Sequence, residues 1–414
     1  MGSEMCIRDR LATLIYRSRL HYALDPSQLT QLAHRASLRN TELNVTGVLL
    51  FDGMQFMQVL EGPVSAVNAV FERINRDPRH GDVVELMRDF APNRRFLDHG
   101  LVLFDLRSNK PGLVLRSIIK FGTLKYHLAC NDRVYKFIRN FVAAPMPKPM
   151  TKKITPDRWR LDTRMSPFEN ERVPIRENQP CQFAFQPIIE PLRGNISSLE
   201  ALIRGPNGGS PQEYFSTIPS HKLHEADLAS KGWALAMARE LGIGNHKIAI
   251  NLLPMSLVKI PGAVNILLDH IKRNKLDPEQ VIVEVTEDEV ISGYDEFTFA
   301  IRQLRAAGIG LAIDDFGSGF AGLSLLAKFQ PDKLKIDRSI VTDIHQHGPK
   351  QAIVKAIIDC CAEMQITVVA EGVEKVEEWC WLEAAGIERF QGFLFARPVL
   401  NGVSSICWPQ RIAS

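Results

Sequence analysis

Residues 310–315 read GLAIDD, a short apolar run that ends on two acids, Asp314 and Asp315. An apolar run without polar alternation suits a strand buried on both faces, and Gly317 and Gly319 just beyond it mark a loop. The same build recurs on either side. Upstream stand FAFQPIIE (183–190), SSLEALIR (197–204), KIAINLL (247–253) and QVIVEVTE (280–287). Downstream stand KLKID (333–337), TVVAE (367–371) and the short RFQGF (389–393). Helical runs at 225–241, 261–274, 294–307, 349–364 and 375–385 lie between most of them. Strand-like runs that feed helices predict a mainly parallel sheet, and this many predict a β/α barrel.

The polar residues of these runs sit at strand ends. Asn251 ends KIAIN, Glu284 comes late in QVIVE, Asp314 and Asp315 end GLAIDD, and Glu371 ends TVVAE; Lys335 lies in KLKID and Gln391 in RFQG. In a β/α barrel the chemistry occupies the carboxyl ends of the strands, so these side chains are expected on one rim. In SSLEALIR a period of two puts Glu200, Leu202 and Arg204 on one face.

Taken singly, each has a plain explanation. A lone acid at a strand end is commonly a helix cap, Lys335 alone reads as a surface lysine, and Asp314-Asp315 could merely open a helix through the Gly-Ser-Gly loop. Together, several acids and an Asn in a partly buried site repel one another unless cations neutralise them. Oxygen ligands without His or Cys favour Mg²⁺ or Mn²⁺. Two such ions suit in-line attack of water on a phosphodiester, with a lysine placed to orient or deprotonate that water.

The first third has another pattern. LATLIYRS (11–18) reads as a strand, and residues 26–39 as a helix capped by Asp25 with Pro26 at its first position. NVTGVLLF and MQFMQVLEG read as strands joined at Asp52-Gly53, a hairpin signal. A helix at 63–75 and strands in DVVELMRDF and LVLFDL complete a β-α-β-β-α-β order, the ferredoxin-like pattern. Two helical stretches follow near 111–121 and 132–143. Tyr16 shares a face with Leu14, and Gln58 with Phe56 and Leu60, so a hydroxyl and an amide on apolar faces each need a partner. Chemically this is a satisfied core pair in a small α+β domain, a sensor or an interaction module.

The 414 residues call for two or three domains, and 45% hydrophobic with 23% charged is a globular balance. Residues 1–10, MGSEMCIRDR, read as a tag or translated leader and not a signal peptide. The expected domains are 11–106 with the helices of 107–145, a proline- and charge-rich linker at 146–180, and the barrel at 181–410. Seven scattered cysteines without a CxxC pair argue against zinc or disulfides and for a reducing, cytoplasmic setting. No apolar stretch has the length of a membrane span. Residues 1–178 carry a net charge of +9 and residues 179–414 one of −6. The arginines of the basic part are dispersed with no aromatic platform, so direct nucleic-acid binding is not expected.

Glu200-Ala201-Leu202 with Arg204, Asp314-Asp315-Phe316-Gly317, Lys335-Ile336-Asp337 and Glu371-Gly372-Val373-Glu374 resemble the signature of EAL-domain phosphodiesterases, from about Gln182 to Pro409. The resemblance implies a modified (β/α)8 TIM-like barrel that hydrolyses cyclic di-GMP to linear pGpG. It implies that Glu200, Asn251, Glu284 and Asp314 hold one cation and that Asp314, Asp315 and Glu371 serve a second, with Asp314 bridging. Lys335 would position the attacking water. Gln391 would hold waters or substrate, and Gln186, Leu202 and Arg204 would contact the nucleotide. Glu287 would brace the DDFGSGF loop, which in this family links the dimer interface to the site; here DDFGSGFAGL stands where Thr-Gly-Tyr is more usual. Some EAL domains have lost their ligands and only bind; every ligand position is retained here.

LATLIYRS, Asn40 before VTGVLLF, FMQVLEG and DPRH resemble a BLUF domain, the blue-light sensor that binds flavin, over about Leu11 to Leu106. By that resemblance Tyr16 donates an electron to the excited flavin, Gln58 rearranges its hydrogen bonds, Asn40 holds the ring edge, and Arg73 and His80 lie beside the cofactor. His99 and Leu101 stand where many members have Trp and Met in the last strand. Together the two resemblances imply a homodimeric, light-regulated bacterial phosphodiesterase of signal transduction, with FAD or another flavin and two divalent cations, Mg²⁺ or Mn²⁺. The rivals are a light-dependent regulator that binds another protein through an inert EAL domain, and an N-terminal domain that serves dimerisation alone.

Overall fold

The computed structural model describes residues 11–20, 25–91, 93–96, 100–107, 111–120, 132–143, 156–168, 172–176, 179–286, 294–318 and 323–412. The chain forms two compact units, Met1–Pro149 and Met150–Ser414. No helix among the described residues is long and apolar enough to cross a membrane.

The first unit runs β1 (Leu11–Leu20), α1 (Pro26–Glu42), β2 (Thr46–Phe51), β3 (Gln55–Pro63), α2 (Val64–Asn75), β4 (His80–Ala91), β5 (Val102–Asp105), α3 (Pro111–Lys120) and α4 (Arg133–Ala143). Asp25 caps α1 as expected, accepting from the N–H groups of Ser27 and Gln28 at 2.8 and 2.9 Å. The sheet order is β4-β1-β3-β2-β5, with β5 parallel to β2 and every other pair antiparallel. This is the ferredoxin-like arrangement with β5 added at its edge, a mixed sheet. Strand periodicity gives the sheet two different faces. Tyr16, Leu49, Phe56 and Leu60 pack with residues of α1 and α2, while Ile15, Leu50, Met57 and Val59 pack with α3 and α4.

The second unit begins with β6 (Trp159–Arg164), β7 (Gln182–Glu190) and β8 (Asn195–Arg204). It continues α5 (Pro211–Phe215), α6 (Leu223–Glu240), β9 (Lys247–Asn251), α7 (Pro254–Lys259), α8 (Ala263–Arg273), β10 (Val281–Thr286), α9 (Tyr294–Ala306) and β11 (Gly310–Phe316). Then come α10 (Leu323–Phe329), β12 (Lys333–Ile336), α11 (Arg338–Val341), α12 (Gly348–Glu363), β13 (Thr367–Ala370), α13 (Val376–Ala385), β14 (Arg389–Phe390), β15 (Pro398–Leu400), β16 (Gly402–Val403) and β17 (Ile406–Arg411).

Strands β7 to β14 pair in sequence order, and Phe390 of β14 meets Ile189 of β7, which closes an eight-stranded barrel. From β8 to β14 every pair is parallel; β7 is antiparallel to both neighbours. That reversed first strand is the modification of the barrel. One expectation is corrected. Residues 159–164, expected within a linker, form β6, which pairs with β17 over six residues, Trp159↔Arg411 to Arg164↔Ile406. The Trp159 ring stacks edge-on against Trp379 at 5.2 Å, so this segment is packed onto the barrel.

Candidate active site and N-terminal cavity

The strands of the barrel bring their inward side chains to one end. Glu200 (β8), Glu284 (β10), Asp314 (β11) and Lys335 (β12) are all buried, and Glu371 follows β13 directly. Lys335 Nζ lies 3.2 Å from Glu200 Oε2, 2.9 Å from Glu284 Oε2, 3.1 Å from Asp314 Oδ1 and 2.7 Å from Glu371 Oε1. Asn251 Nδ2 donates to Glu200 Oε1 at 2.7 Å, and Gln391 Nε2 to Glu200 Oε2 at 2.7 Å and to Gln186 Oε1 at 3.1 Å.

Asp314 and Asp315 are adjacent, and a regular strand would send them to opposite faces. The β11–β12 register slips between Ile313 and Phe316, and Asp315 has φ 54°. The left-handed residue turns its carboxylate back, so single oxygens of Asp314, Asp315 and Glu371 lie within 4.8 Å of one another. A second such group is Glu200, Glu284 and Asp314. Asp314 belongs to both. Left-handed Asp is strained by about 1–2 kcal/mol, the kind of backbone outlier that clusters at functional sites.

The charges do not balance. Burial, with Glu200 and Asp314 alongside, pushes the Glu284 carboxyl up to about 8 despite Lys335. Burial and Asp314 raise Glu371, and burial, Asp314 and Asp337 lift Asp315 to about 6. Glu200 is held below its usual range against its own burial by Lys335 and by the Gln391 and Asn251 amides. Glu284 Oε1 is buried with no hydrogen-bond partner. One ammonium against this many carboxylates, an orphaned carboxylate oxygen and a donor set of oxygens fit divalent cations of the Mg²⁺ or Mn²⁺ type.

Leu202 and Arg204 share the inward register of Glu200, one and two steps further along β8. Arg204 Nη1 donates to the Ile203 carbonyl at 2.9 Å. Glu287 lies outside the described residues. Sequence reasoning missed the layer beneath. Lys333 Nζ donates to Ser198 Oγ at 3.2 Å, and Arg389 Nε to Glu190 Oε1 at 2.8 Å, inside the same barrel. Each of Lys333, Ser198 and Arg389 stands two residues before a site residue, which was the available signal.

In the first unit a cavity of about 380 Å³ lies over the β1–β3 face between α1 and α2. Tyr16 Oη donates to Gln58 Oε1 at 2.5 Å, and burial pushes the Tyr16 phenol up, so the hydroxyl keeps its proton. Asn40 Nδ2 donates to the Gly100 carbonyl at 3.0 Å. A Cβ at residue 100 would meet Ser37 O at 2.1 Å, so only glycine lets this loop touch α1. Tyr16, Asn40, Gln58, Arg73 and Leu101 all line the cavity. His80 opens β4, with its side chain outside the described ones, and His99 lies outside the described residues altogether. Arg35, Arg39 and Arg79 also line the cavity and were not singled out; the i, i+4 spacing of Arg35 and Arg39 on the α1 face before Asn40 was the signal. Buried amides beside an apolar wall and arginines at the edge fit a flat ring carrying phosphate.

The family described as EAL domain matches residues 171–398, and the family described as sensors of blue-light using FAD matches residues 11–101. The chain is 45% identical over 402 residues to the blue light- and temperature-regulated antirepressor BluF of Escherichia coli K12, covering 97% of this chain and 100% of that protein. It is 32% identical over 234 residues to the E. coli cyclic di-GMP phosphodiesterase PdeR, covering 54% of this chain and 34% of that one. The solved structure of Klebsiella pneumoniae BlrP1 in a manganese and cyclic di-GMP complex at pH 6 is 48% identical, covers 97% of this chain and 100% of that one, and has a TM-score of 0.60. The same protein has been solved with FMN and cyclic di-GMP. By its matched families and its full-length relatives, the chain belongs to the EAL family and carries a BLUF domain in front: it is a BLUF–EAL protein.

Proposed function

We propose that this protein is a blue-light-regulated phosphodiesterase that hydrolyses cyclic di-GMP to linear pGpG. The observation that carries the reading is the pair of carboxylate groups sharing Asp314, gathered around Lys335. Bound there, two divalent cations would supply Lewis-acid charge and a water of lowered pKa. Glu200, Asn251, Glu284 and Asp314 would hold one of them and Asp314, Asp315 and Glu371 the other. Lys335, within hydrogen-bond reach of four carboxylates, would orient the attacking water. Gln186 and Gln391, bonded to each other, would fix the polar edge of the substrate, with Leu202 and Arg204 further along the rim. In the first unit, Tyr16, Asn40, Gln58 and Arg73 would hold a flavin, FAD or FMN.

The manganese and cyclic di-GMP named for BlrP1, and the activity named for PdeR, support this reading. The name of BluF supports a second one, in which the EAL domain acts by binding a transcriptional regulator. Turnover of cyclic di-GMP with Mg²⁺ or Mn²⁺ separates them: release of pGpG supports the enzyme, and binding without turnover supports the regulator.

A further inference from the structure

The backbone just beyond Asn251 is gripped by a carboxylate that belongs to neither carboxylate group. Asp227, on α6, is 1% exposed. Its Oδ2 accepts from the Leu253 N–H at 3.0 Å and from Ser256 Oγ at 2.7 Å. Its Oδ1 accepts from Lys231 Nζ at 2.6 Å, one turn further along α6 and also buried. Leu253 is the N-cap of α7, so Asp227 ties down the entry of that helix through the N-cap's own N–H and through the Ser256 hydroxyl in its first turn. Between the two, the Leu252 N–H donates to the Glu284 carbonyl at 2.9 Å. The turn that follows β9 is therefore anchored on both sides, while the amide of Asn251 reaches Glu200.

A buried ion pair is a poor source of net stability, because desolvation offsets most of the attraction and apolar replacements often do as well. What the pair supplies here is a fixed acceptor. Both bonds at Oδ2 are made to neutral donors, and an amide oxygen could accept them equally. Lys231 is what allows the acceptor to be a carboxylate.

We infer that Asp227 is a positioning residue for Asn251: through the Leu253 N–H and the Ser256 hydroxyl it holds the end of β9 so that the Asn251 side chain meets Glu200, Glu284 and Asp314 at one point. The inference rests on the two-cation reading above. Partners one step behind a metal ligand typically govern about 10–100-fold in metal affinity.

The test uses the full chain and Mn²⁺ alone, with binding measured by calorimetry and folding by the Tm in EDTA. Asp227→Leu by itself would strand the Lys231 ammonium and could unfold the protein, so two double variants are compared. Asp227→Asn with Lys231→Met removes both charges and keeps the acceptor; its Mn²⁺ dissociation constant should stay within about 3-fold of the unmodified protein. Asp227→Leu with Lys231→Met also removes the acceptor; its dissociation constant should rise by about 10–100-fold. If the two bind Mn²⁺ alike, whether both tightly or both weakly, the positioning role is wrong, even if the Leu variant has the lower Tm. If the unmodified protein binds no Mn²⁺, the two-cation reading falls and takes this inference with it.

Discussion

Lys335 Nζ donates to Glu284 Oε2 at 2.9 Å, while the other oxygen of the same carboxylate, Oε1, is buried without a partner. The half-satisfied carboxylate describes the whole site. A single ammonium bonds the acids of four different strands or strand ends, and it is not enough charge to hold them all ionised. The barrel stores an electrostatic deficit that a cation relieves.

The deficit should be visible as a pH dependence of stability. The Glu284 carboxyl titrates near 4.5 when unfolded and at about 8 when folded. Between those values the folded state keeps a proton that the unfolded state has lost, so stability falls as pH rises through the window. The slope for one such group is at most about 1.4 kcal/mol per pH unit. In EDTA the Tm should therefore fall between pH 5 and pH 8, and Mn²⁺ should restore it more at pH 8 than at pH 5. A Tm that rises over this range in EDTA would remove the charge deficit from the account.

Asp314 contributes to both carboxylate groups. Asp314→Asn should lose hydrolysis to the detection limit and should weaken Mn²⁺ binding at both positions, read as the stoichiometry of bound metal. Glu371→Ala should lose one equivalent only, because Glu371 belongs to one group. Near-normal turnover by Asp314→Asn with metal in modest excess would rule out the shared role.

The charge compensation at Lys335 and the water-orienting role proposed for it are separable, and Lys335→Met should split them. Without metal, loss of the ammonium leaves the ionised carboxylates around it uncompensated, a destabilisation of about 3–5 kcal/mol. Mn²⁺ should recover most of the lost Tm, since it brings the missing positive charge. It should not recover turnover: kcat should remain ~10²–10⁴-fold down, the scale of lost proton transfer or water orientation. A variant with preserved kcat and raised KM would make Lys335 a substrate-binding residue instead.

The barrel and most of its rim were legible because each strand run ends on its polar residue, so a linear pattern reports a three-dimensional ring. Directions and partners were less legible. The apolar run of β7 looks like its neighbours, and nothing local announces that it runs antiparallel to both. The sequence WRLDTR (159–164) reads as linker because its partner strand lies at 406–411, far along the chain. Asp227 and Lys231 on α6 have the i, i+4 spacing of an ordinary surface pair, and only packing reveals that both are buried. The slip that turns Asp315 into the site is a backbone event without a sequence signal of its own. In the first unit Tyr16 and Gln58 were legible as polar residues on apolar faces in need of partners, and each is the other's partner.

That bond is where light should enter the account. Tyr16 is a fixed donor, and the Gln58 amide can present either its oxygen or its nitrogen, so it can exchange one hydrogen-bond pattern for another. Tyr16→Phe removes the donor and should abolish the light-induced red shift of the flavin spectrum, with the purified protein still yellow. A red shift that persists in Tyr16→Phe would take the phenol out of the switch.

The most direct measurement is pGpG release from cyclic di-GMP by the unmodified protein and by Gln58→Leu, each with Mn²⁺, in the dark and under blue light, with the flavin spectrum recorded on the same samples. The expected result is faster turnover in the light for the unmodified protein, and a ratio of lit to dark turnover of about one for Gln58→Leu, whose spectrum no longer shifts. No release of pGpG by the unmodified protein under either condition, or equal stimulation of both proteins by light, would contradict a light-regulated phosphodiesterase switched through Gln58.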